Sequence, residues 1–495
     1  MNGMSGDAIR ALVAALADVV IEADLGKAAL VVAELAELNG RGWLRLDELA
    51  RRPYWSWRQS PLDNVAAWEP VLTAGASLAG LVAASMCRDG RVREAAVNAL
   101  GRAQTPVAAA ALAVRVADWV PEVCSAAWAA VSARTGVNDV AAIVPVVLAL
   151  QPRVRGREAA ASYLAKVAGG PAVTMQALAA AGDRACELWA LDALKQRSLL
   201  TADVLVDRAM HDPDPVVALW CARSLADPSG ELPTACGLRL LASARARVRA
   251  FAAGHLSDDQ LTRQTLQESL LDRSASVRSV ARWRWRRQYG APGPVYRSAL
   301  AGAGRPSQIA AALLGLDEDS DDALPAVAVP FLTHQSARVR RAAAQAIGHH
   351  ADARAIIEYL VPLLGDSSGK VAAVALRQLH GYPLPLSVPA SLDTADTPRS
   401  LRIALSIQQH LGTWSRVHGD LAAVNGDDHD LADAARADLL AWLQHGAATS
   451  YGQPDADQAA EIARFLATSK LSDRQRRQIA FVAGIRVPAS GSQPD

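Results

Sequence analysis

The sequence predicts an all-α fold, an α-solenoid made of a superhelical stack of two-helix repeats of about 31 residues. Three observations lead there. A nine-residue pattern recurs ten times, its apolar and small positions share one face at helical period, and capping residues stand just ahead of the copies. Strand-like alternation is absent. The composition agrees, because 51% of the 495 residues are hydrophobic but only 5% are aromatic, so the core must be packed with Ala and Leu. A net charge of +1 gives the whole chain no polyelectrolyte character, and affinity for nucleic acid would need a local patch.

The chain opens with a region, residues 1–70, that reads as an N-terminal helical cap: two helices over 7–23 and 27–38, then the Trp-rich RRPYWSWRQSPLDNVAAW. No basic segment precedes its first apolar stretch, and Asp18 interrupts that stretch, so a secretory signal is not expected. No apolar run approaches the roughly 18 to 20 residues of a membrane span. The five cysteines, Cys87, Cys124, Cys186, Cys221 and Cys236, lack a CxxC pair and read as reduced, mostly buried thiols. A cytoplasmic protein with no membrane partner is expected.

Residues 71–385 carry the repeats. VREAAVNAL (92–100), VCSAAWAAV (123–131), VRAFAAGHL (248–256), VRSVARWRW (277–285), VRRAAAQAI (339–347) and VAAVALRQL (371–379) align with VVALWCARSL (216–225). GREAAASYL (156–164), CELWALDAL (186–194) and PSQIAAALL (306–314) are weaker copies. Position five reads Ala96, Ala127, Ala160, Ala190, Cys221, Ala252, Ala281, Ala310, Ala343 and Ala375, and position nine is nearly always Leu, Val or Ile. A tiny residue at a fixed place on each helix lets neighbouring backbones approach closely. Asp89, Asp183, Asp214, Ser274, Ser336 and Ser368 lie three residues ahead of their blocks as N-caps, and Pro121 and Pro215 suit a first helical position. The rest of each period suffices for a second helix, as in VAAIVPVVLAL (140–150) or IIEYLVPLLGD (356–366).

DPDPVVALWCARSLAD (212–227), DGRVREAAVNALG (89–101) and QSARVRRAAAQAIG (335–348) resemble HEAT-type repeats, specifically the short HEAT-like repeats named after phycobilisome bilin lyases. The Arg after the first Val, frequent in that family, is present as Arg93, Arg157, Arg249, Arg278 and Arg340 but replaced in the other copies, so a continuous ladder from that position is expected to be broken. The resemblance implies that the second, block-bearing helix lines a concave surface. It is specific for fold and unspecific for function.

HGYPLPLSVPASLDTADTPRS (380–400) marks a break. Residues 386–486 are expected to form a C-terminal helical region of degenerate repeats, with Ala435 of LADAARADLLAWL (431–443) in register, and 487–495 a disordered tail.

Candidate binding residues cluster late in the repeats. Across residues 238–297 the chain carries twelve Arg and no Lys against Asp258, Asp259, Glu268 and Asp272, a local balance of +8. Within SASVRSVARWRWRRQYG (274–290), Trp285 takes position nine and belongs in the core, whereas Trp283 takes the polar position seven. Arg223, Arg282, Trp283, Arg286, Arg287, Arg341 and Arg377 are therefore the expected contact residues of a concave surface. Guanidinium forks beside an aromatic suit an acidic protein partner, and equally phosphates with base stacking. The acidic run LDEDSDDALP (316–325) reads as a turn capping the next helix or as a screen for those arginines.

The metal-capable His418, Asp420, Asp427, Asp428, His429 and Asp430 lack HExxH spacing or paired Cys, so neither a metal site nor a cofactor is expected, and His349 and His350 read as partners of a helix C-terminus. No catalytic constellation is evident. These readings converge on a non-catalytic scaffold that holds a protein partner. Two competitors follow from known HEAT-like catalysts: a nucleic-acid-binding protein or DNA glycosylase-like enzyme, and a chromophore lyase-like enzyme with a reactive thiol.

Overall fold

The computed structural model describes residues 5–51, 60–73, 76–302, 304–320, 323–380, 382, 405–406, 409, 412–450 and 452–485. They form twenty-eight α-helices and no β-strand. The chain divides into two compact units, Met1–Val248 and Arg249–Asp495. The first contains α1 (Gly6–Glu22), α2 (Leu25–Ala36), α3 (Gly40–Ala50), α4 (Glu69–Leu72), α5 (Leu78–Ser85), α6 (Gly90–Arg102), α7 (Pro106–Arg115) and α8 (Pro121–Ser132). It continues with α9 (Val137–Leu150), α10 (Arg157–Ala168), α11 (Ala172–Ala179), α12 (Arg184–Gln196), α13 (Ala202–His211), α14 (Pro215–Ser224) and α15 (Thr234–Leu241), and the boundary falls inside α16 (Ala246–His255). The second unit adds α17 (Arg263–Leu270), α18 (Ala275–Tyr289), α19 (Gly293–Ala301), α20 (Pro306–Glu318), α21 (Leu324–Ala328), α22 (Ala337–His350), α23 (Ala353–Leu360) and α24 (Gly369–Leu379). It ends in α25 (Thr413–Asn425), α26 (His429–His445), α27 (Ala456–Thr468) and α28 (Asp473–Ala483).

The alternation is regular. Every even-numbered helix from α6 to α24 bears one copy of the nine-residue pattern, and the helix before it is its hairpin partner. This is the all-α solenoid the repeats predict. All ten position-five residues are buried, which is where small side chains are needed for close backbone approach.

Two copies need a different register. In most block helices position five is the seventh helical residue, but in α20 the seventh is Ala312, not Ala310. Ala312 lies 31 residues after Ala281 and 31 before Ala343, and with it position nine becomes the fully buried Leu316 in place of the half-buried Leu314. The sequence alignment slid because Ala310, Ala311 and Ala312 are indistinguishable by type. In α10 the seventh residue is Tyr163, buried, with its hydroxyl donating to the Arg134 carbonyl at 3.3 Å. Ala160 is buried one turn earlier, so the column of tiny residues bends around this ring.

The N-caps split by residue type. Asp89, Asp183 and Asp214 accept from first-turn N–H groups, at 2.8 Å in the case of Asp89 to Arg91. Ser274, Ser336 and Ser368 hold the cap position, but their hydroxyls accept no such bond. An upstream Asp does related work in several turns: Asp118, Asp212, Asp272 and Asp366 each accept the backbone N–H two residues on, at 3.0, 3.0, 2.7 and 2.6 Å.

Three of these carboxylates, Asp118, Asp272 and Asp366, receive the arginines of the preceding block helices. Arg93 reaches Asp118 through Nε and Nη2, both at 2.9 Å, while Nη1 binds the Cys87 and Arg88 carbonyls of its own turn. Arg249 reaches Asp272 at 2.8 and 2.7 Å, and Arg340 reaches Asp366 at 2.6 and 2.7 Å. Bidentate forks of this kind fix orientation as well as charge. The ladder is discontinuous, as expected: Arg157 binds only its own turn's carbonyls, and in α12 the position belongs to Glu187.

The cap helices join this network. Asp47 of α3 pairs with Arg115, and Arg51 lies 3.4 Å from Asp118, so three guanidiniums and two carboxylates form one buried cluster. Gly40 explains how α3 sits so near α9: a Cβ there would collide with the carbonyl of Pro145, inside α9. Residues 52–59 of the Trp-rich segment, most of the proline-rich break and the tail 487–495 lie outside the described residues. The last helices share a core of Trp414, Val417, Leu421, Leu439, Trp442 and Ile462, with Ala435 fully buried among them.

Candidate interaction surface

Helices α18, α20, α22 and α24 present equivalent rows of side chains at i, i+3, i+4 and i+7, the spacing that keeps residues on one helix face. In α22 the row is Arg338, Arg341, Ala342 and Gln345; in α24 it is Lys370, Ala373, Val374 and Arg377. α20 supplies only small or apolar members, among them Ala310, Ala311 and Leu314. Together with Arg273 these rows line a hollow of about 500 Å³. Its lining contains five cations and no carboxylate. Arg338, Arg341, Lys370 and Arg377 make no ion pair among the described residues.

The row of α18 lines a second hollow, of about 480 Å³, through Ser279 and Trp283, with Arg282, Arg286, Arg287 and Glu318 around them. Trp283 is 57% exposed and Trp285 3%, so neighbouring indoles of one helix divide between surface and core as their register predicts. The Arg287 guanidinium lies 4.8 Å from the Trp283 ring centroid, within cation–π range. The remaining charge is largely cancelled: Arg282 pairs with Glu318, which also holds Arg278, and Arg286 pairs with Asp319.

The acidic run thus screens arginines. The following helix has Ala323 at its N-cap position, and Asp321 and Asp322, which the capping reading needs, lie outside the described residues. Carboxylates in the last turn of α20 oppose the helix dipole, and they are held there by opposite charges and donors. Asp317 accepts from Gln345 at 3.0 Å and meets His349 and His350 at 2.8 and 3.0 Å. Those imidazoles are structural, though their partner is a carboxylate in addition to a helix end.

Of the sequence-predicted residues, the structure brings Arg282, Trp283, Arg286 and Arg287 together and seats Arg341 and Arg377 in the other hollow. Arg223 is exposed on α14 of the first unit. Arg338 and Lys370 were missed because each falls one residue ahead of the block's first Val, outside the nine-residue frame. Arg284, also overlooked, is buried and donates to the carbonyls of Ala253 and Leu256 that end α16.

Asp428 caps α26, His418 meets Glu461, and Asp420 is fully buried. Among the described residues no group of three or more His, Cys, Asp or Glu side chains is placed to hold a metal ion, and no helix is long and apolar enough to cross a membrane. Burial pushes up the thiols of Cys87, Cys124 and Cys186, and that of Cys221 to about 12. The Cys124 Sγ donates to the Val116 carbonyl at 3.1 Å.

No protein-family model and no curated protein sequence matches the chain. Among solved structures it is similar to yeast importin-beta (Kap95p), with 12% identity and a TM-score of 0.38 over 97% of this chain and 67% of that one. It is also similar to an engineered protein, at 17% identity and TM-score 0.21 over 81% and 97% of the two chains. A third is the karyopherin Kap121p bound to the extreme C-terminus of the protein phosphatase Cdc14p, at 13% and 0.24 over 96% and 52%. Scores this low bear no weight on function.

Proposed function

We propose that the chain is a non-catalytic binding scaffold whose α18–α24 face holds a protein partner. The kinship to bilin-lyase-type HEAT repeats belongs to the same proposal, as does a concave shape for this face and a cytoplasmic setting, which the five free cysteines suit. One observation carries the reading. The position-two arginines Arg93, Arg249 and Arg340 are turned into the ladder, yet the cations of the α22 and α24 rows stand exposed around a hollow with no carboxylate in its lining. A preformed frame of packed helices presents such groups without much ordering cost on binding. The test is affinity capture with intact protein and with a variant carrying Arg282→Glu, Trp283→Ala, Arg286→Glu and Arg341→Glu. Loss of a defined partner from the variant supports the scaffold; an identical set of captured proteins counts against it.

A nucleic-acid reading is favoured by the exposed Trp283 beside Arg287. Binding to single-stranded and duplex DNA across a salt series separates the two, because phosphate contacts make affinity fall steeply with salt. A thiol-based lyase finds less support, since burial disfavours the thiolate at Cys186 and Cys221.

A further inference from the structure

We infer that the hollow between α20, α22 and α24 seats an acidic peptide: a short extended stretch of a partner that sets carboxylates against Arg338, Arg341, Lys370 and Arg377 and an aliphatic side chain on the floor between them. This names the partner class for the scaffold proposed above and rests on that reading.

Charge is the first reason. Several neighbouring arginines of the second unit find carboxylates: Arg249 has Asp272, Arg278 and Arg282 have Glu318, Arg286 has Asp319, and Arg340 has Asp366. Four cations left without an ion pair around one hollow repel one another, and an anionic ligand relieves that repulsion. Arg forks also suit planar carboxylates.

The floor is the second reason. Ala311, Leu314, Ala342 and Val374 offer small aliphatic contacts and no aromatic ring on which a base might stack. The exposed indole of the face, Trp283, lies in the neighbouring hollow, where Glu318 and Asp319 would oppose a phosphate backbone. An acidic peptide is favoured over nucleic acid on both counts.

Geometry adds a spacing. Packed helices lie about 8 to 10 Å apart, and an extended chain rises about 3.3 Å per residue. Acidic residues two or three positions apart therefore meet successive helices α22 and α24.

The experiment uses the full chain and fluorescein-labelled probes read by anisotropy: a repeating Glu-Val-Thr peptide, its Gln-Val-Thr counterpart and a single-stranded DNA of similar length. We expect the Glu peptide to bind at low salt and the Gln peptide not to. Arg341→Glu with Arg377→Glu should weaken binding by roughly tenfold or more, while Arg474→Glu, an exposed position on α28, leaves it unchanged. Both arginines are exposed, and an unaltered circular-dichroism melt, or the milder Arg341→Gln with Arg377→Gln, guards against misfolding. Peptide binding that survives loss of both arginines but disappears with Trp283→Ala overturns this inference and leaves the scaffold reading intact. DNA binding without peptide binding overturns both. If neither probe binds, the acidic-peptide inference is lost, and partner capture still judges the scaffold.

Discussion

Asp118→Asn attacks the most buried charge cluster of the first unit. Asp118 accepts from Arg93 Nε and Nη2 at 2.9 Å, from Arg115 Nη1 at 3.1 Å and from the Val120 N–H at 3.0 Å, with Arg51 at 3.4 Å. Arg93 and Arg115 have almost no exposed surface. Asn keeps the shape but removes the charge and turns an NH₂ group toward guanidiniums, leaving three cations with Asp47 alone. Removing one partner of a buried ion pair costs about 3 to 5 kcal/mol, a large part of a typical net stability of roughly 5 to 15 kcal/mol. Urea titration followed by circular dichroism is the appropriate assay, because guanidinium chloride would also act as a screening salt. Burial pushes the Asp118 carboxyl up, but Arg93 and Arg115 outweigh it and hold the group below the usual Asp range. The advantage of wild type over variant is therefore full above the ordinary Asp value and shrinks as pH falls through the depressed one. A difference under about 1 kcal/mol at neutral pH, the scale of a surface pair, or a gap that persists unchanged into acid, would refute the reasoning.

Ala252→Leu overpacks a fully buried position five and should cost about 1 to 3 kcal/mol; a melting temperature equal to wild type counts against the register. Glu187→Arg should raise thermal stability at neutral pH, by analogy with Arg93 and Asp118, since Asp212 is a turn carboxylate whose ladder position now holds another acid. Burial and then Asp212 raise the Glu187 pKa, so its contribution is full below the ordinary Glu range and drains away as pH rises through the raised value. That loss should be absent from the variant's pH–melting profile. Asp420→Asn should likewise abolish a stability loss that begins as pH rises past the ordinary Asp value and is complete above about 8: burial and the neighbouring Asp438 lift the Asp420 carboxyl to about 8, so across that range the folded state keeps a proton that Asn mimics. Gly40→Ala should cost about 1 to 3 kcal/mol by forcing α3 off the Pro145 carbonyl, read as a lower melting temperature.

Much of the architecture was legible because a repeat states each packing rule ten times. Ala96 alone says little, but buried small residues at the seventh helical place of nine of the ten block helices identify a packing position. The reading faltered where side-chain types ceased to discriminate, as in the Ala310–Ala312 run, or where a large residue filled the place, as at Tyr163. Trp283 and Trp285 were separable because two steps along a helix is 200° of rotation, roughly opposite sides. The neutralisation of Arg282 and Arg286 was harder to see. Glu318 and Asp319 are more than thirty residues distant in sequence, and only hairpin stacking brings them onto α18. The α3 contribution to Asp118 was invisible for the same reason: Asp47 and Arg51 belong to no repeat.

Register also separates two uses of arginine that composition merges. At position two, Arg93, Arg249 and Arg340 point along the stack and meet a turn carboxylate 23 to 26 residues later. A residue further round the helix, Arg341 follows Arg340 directly and yet faces the open hollow. One step in sequence is 100° of rotation, enough to exchange a structural fork for a side chain that lines the hollow. The local charge balance of +8 over residues 238–297 therefore misdirects attention, because most of that charge is spent inside the fold. A cluster of four cations with no ion pair among the described residues lies beyond it, between residues 338 and 377, where the count of arginines is ordinary and their facing is not.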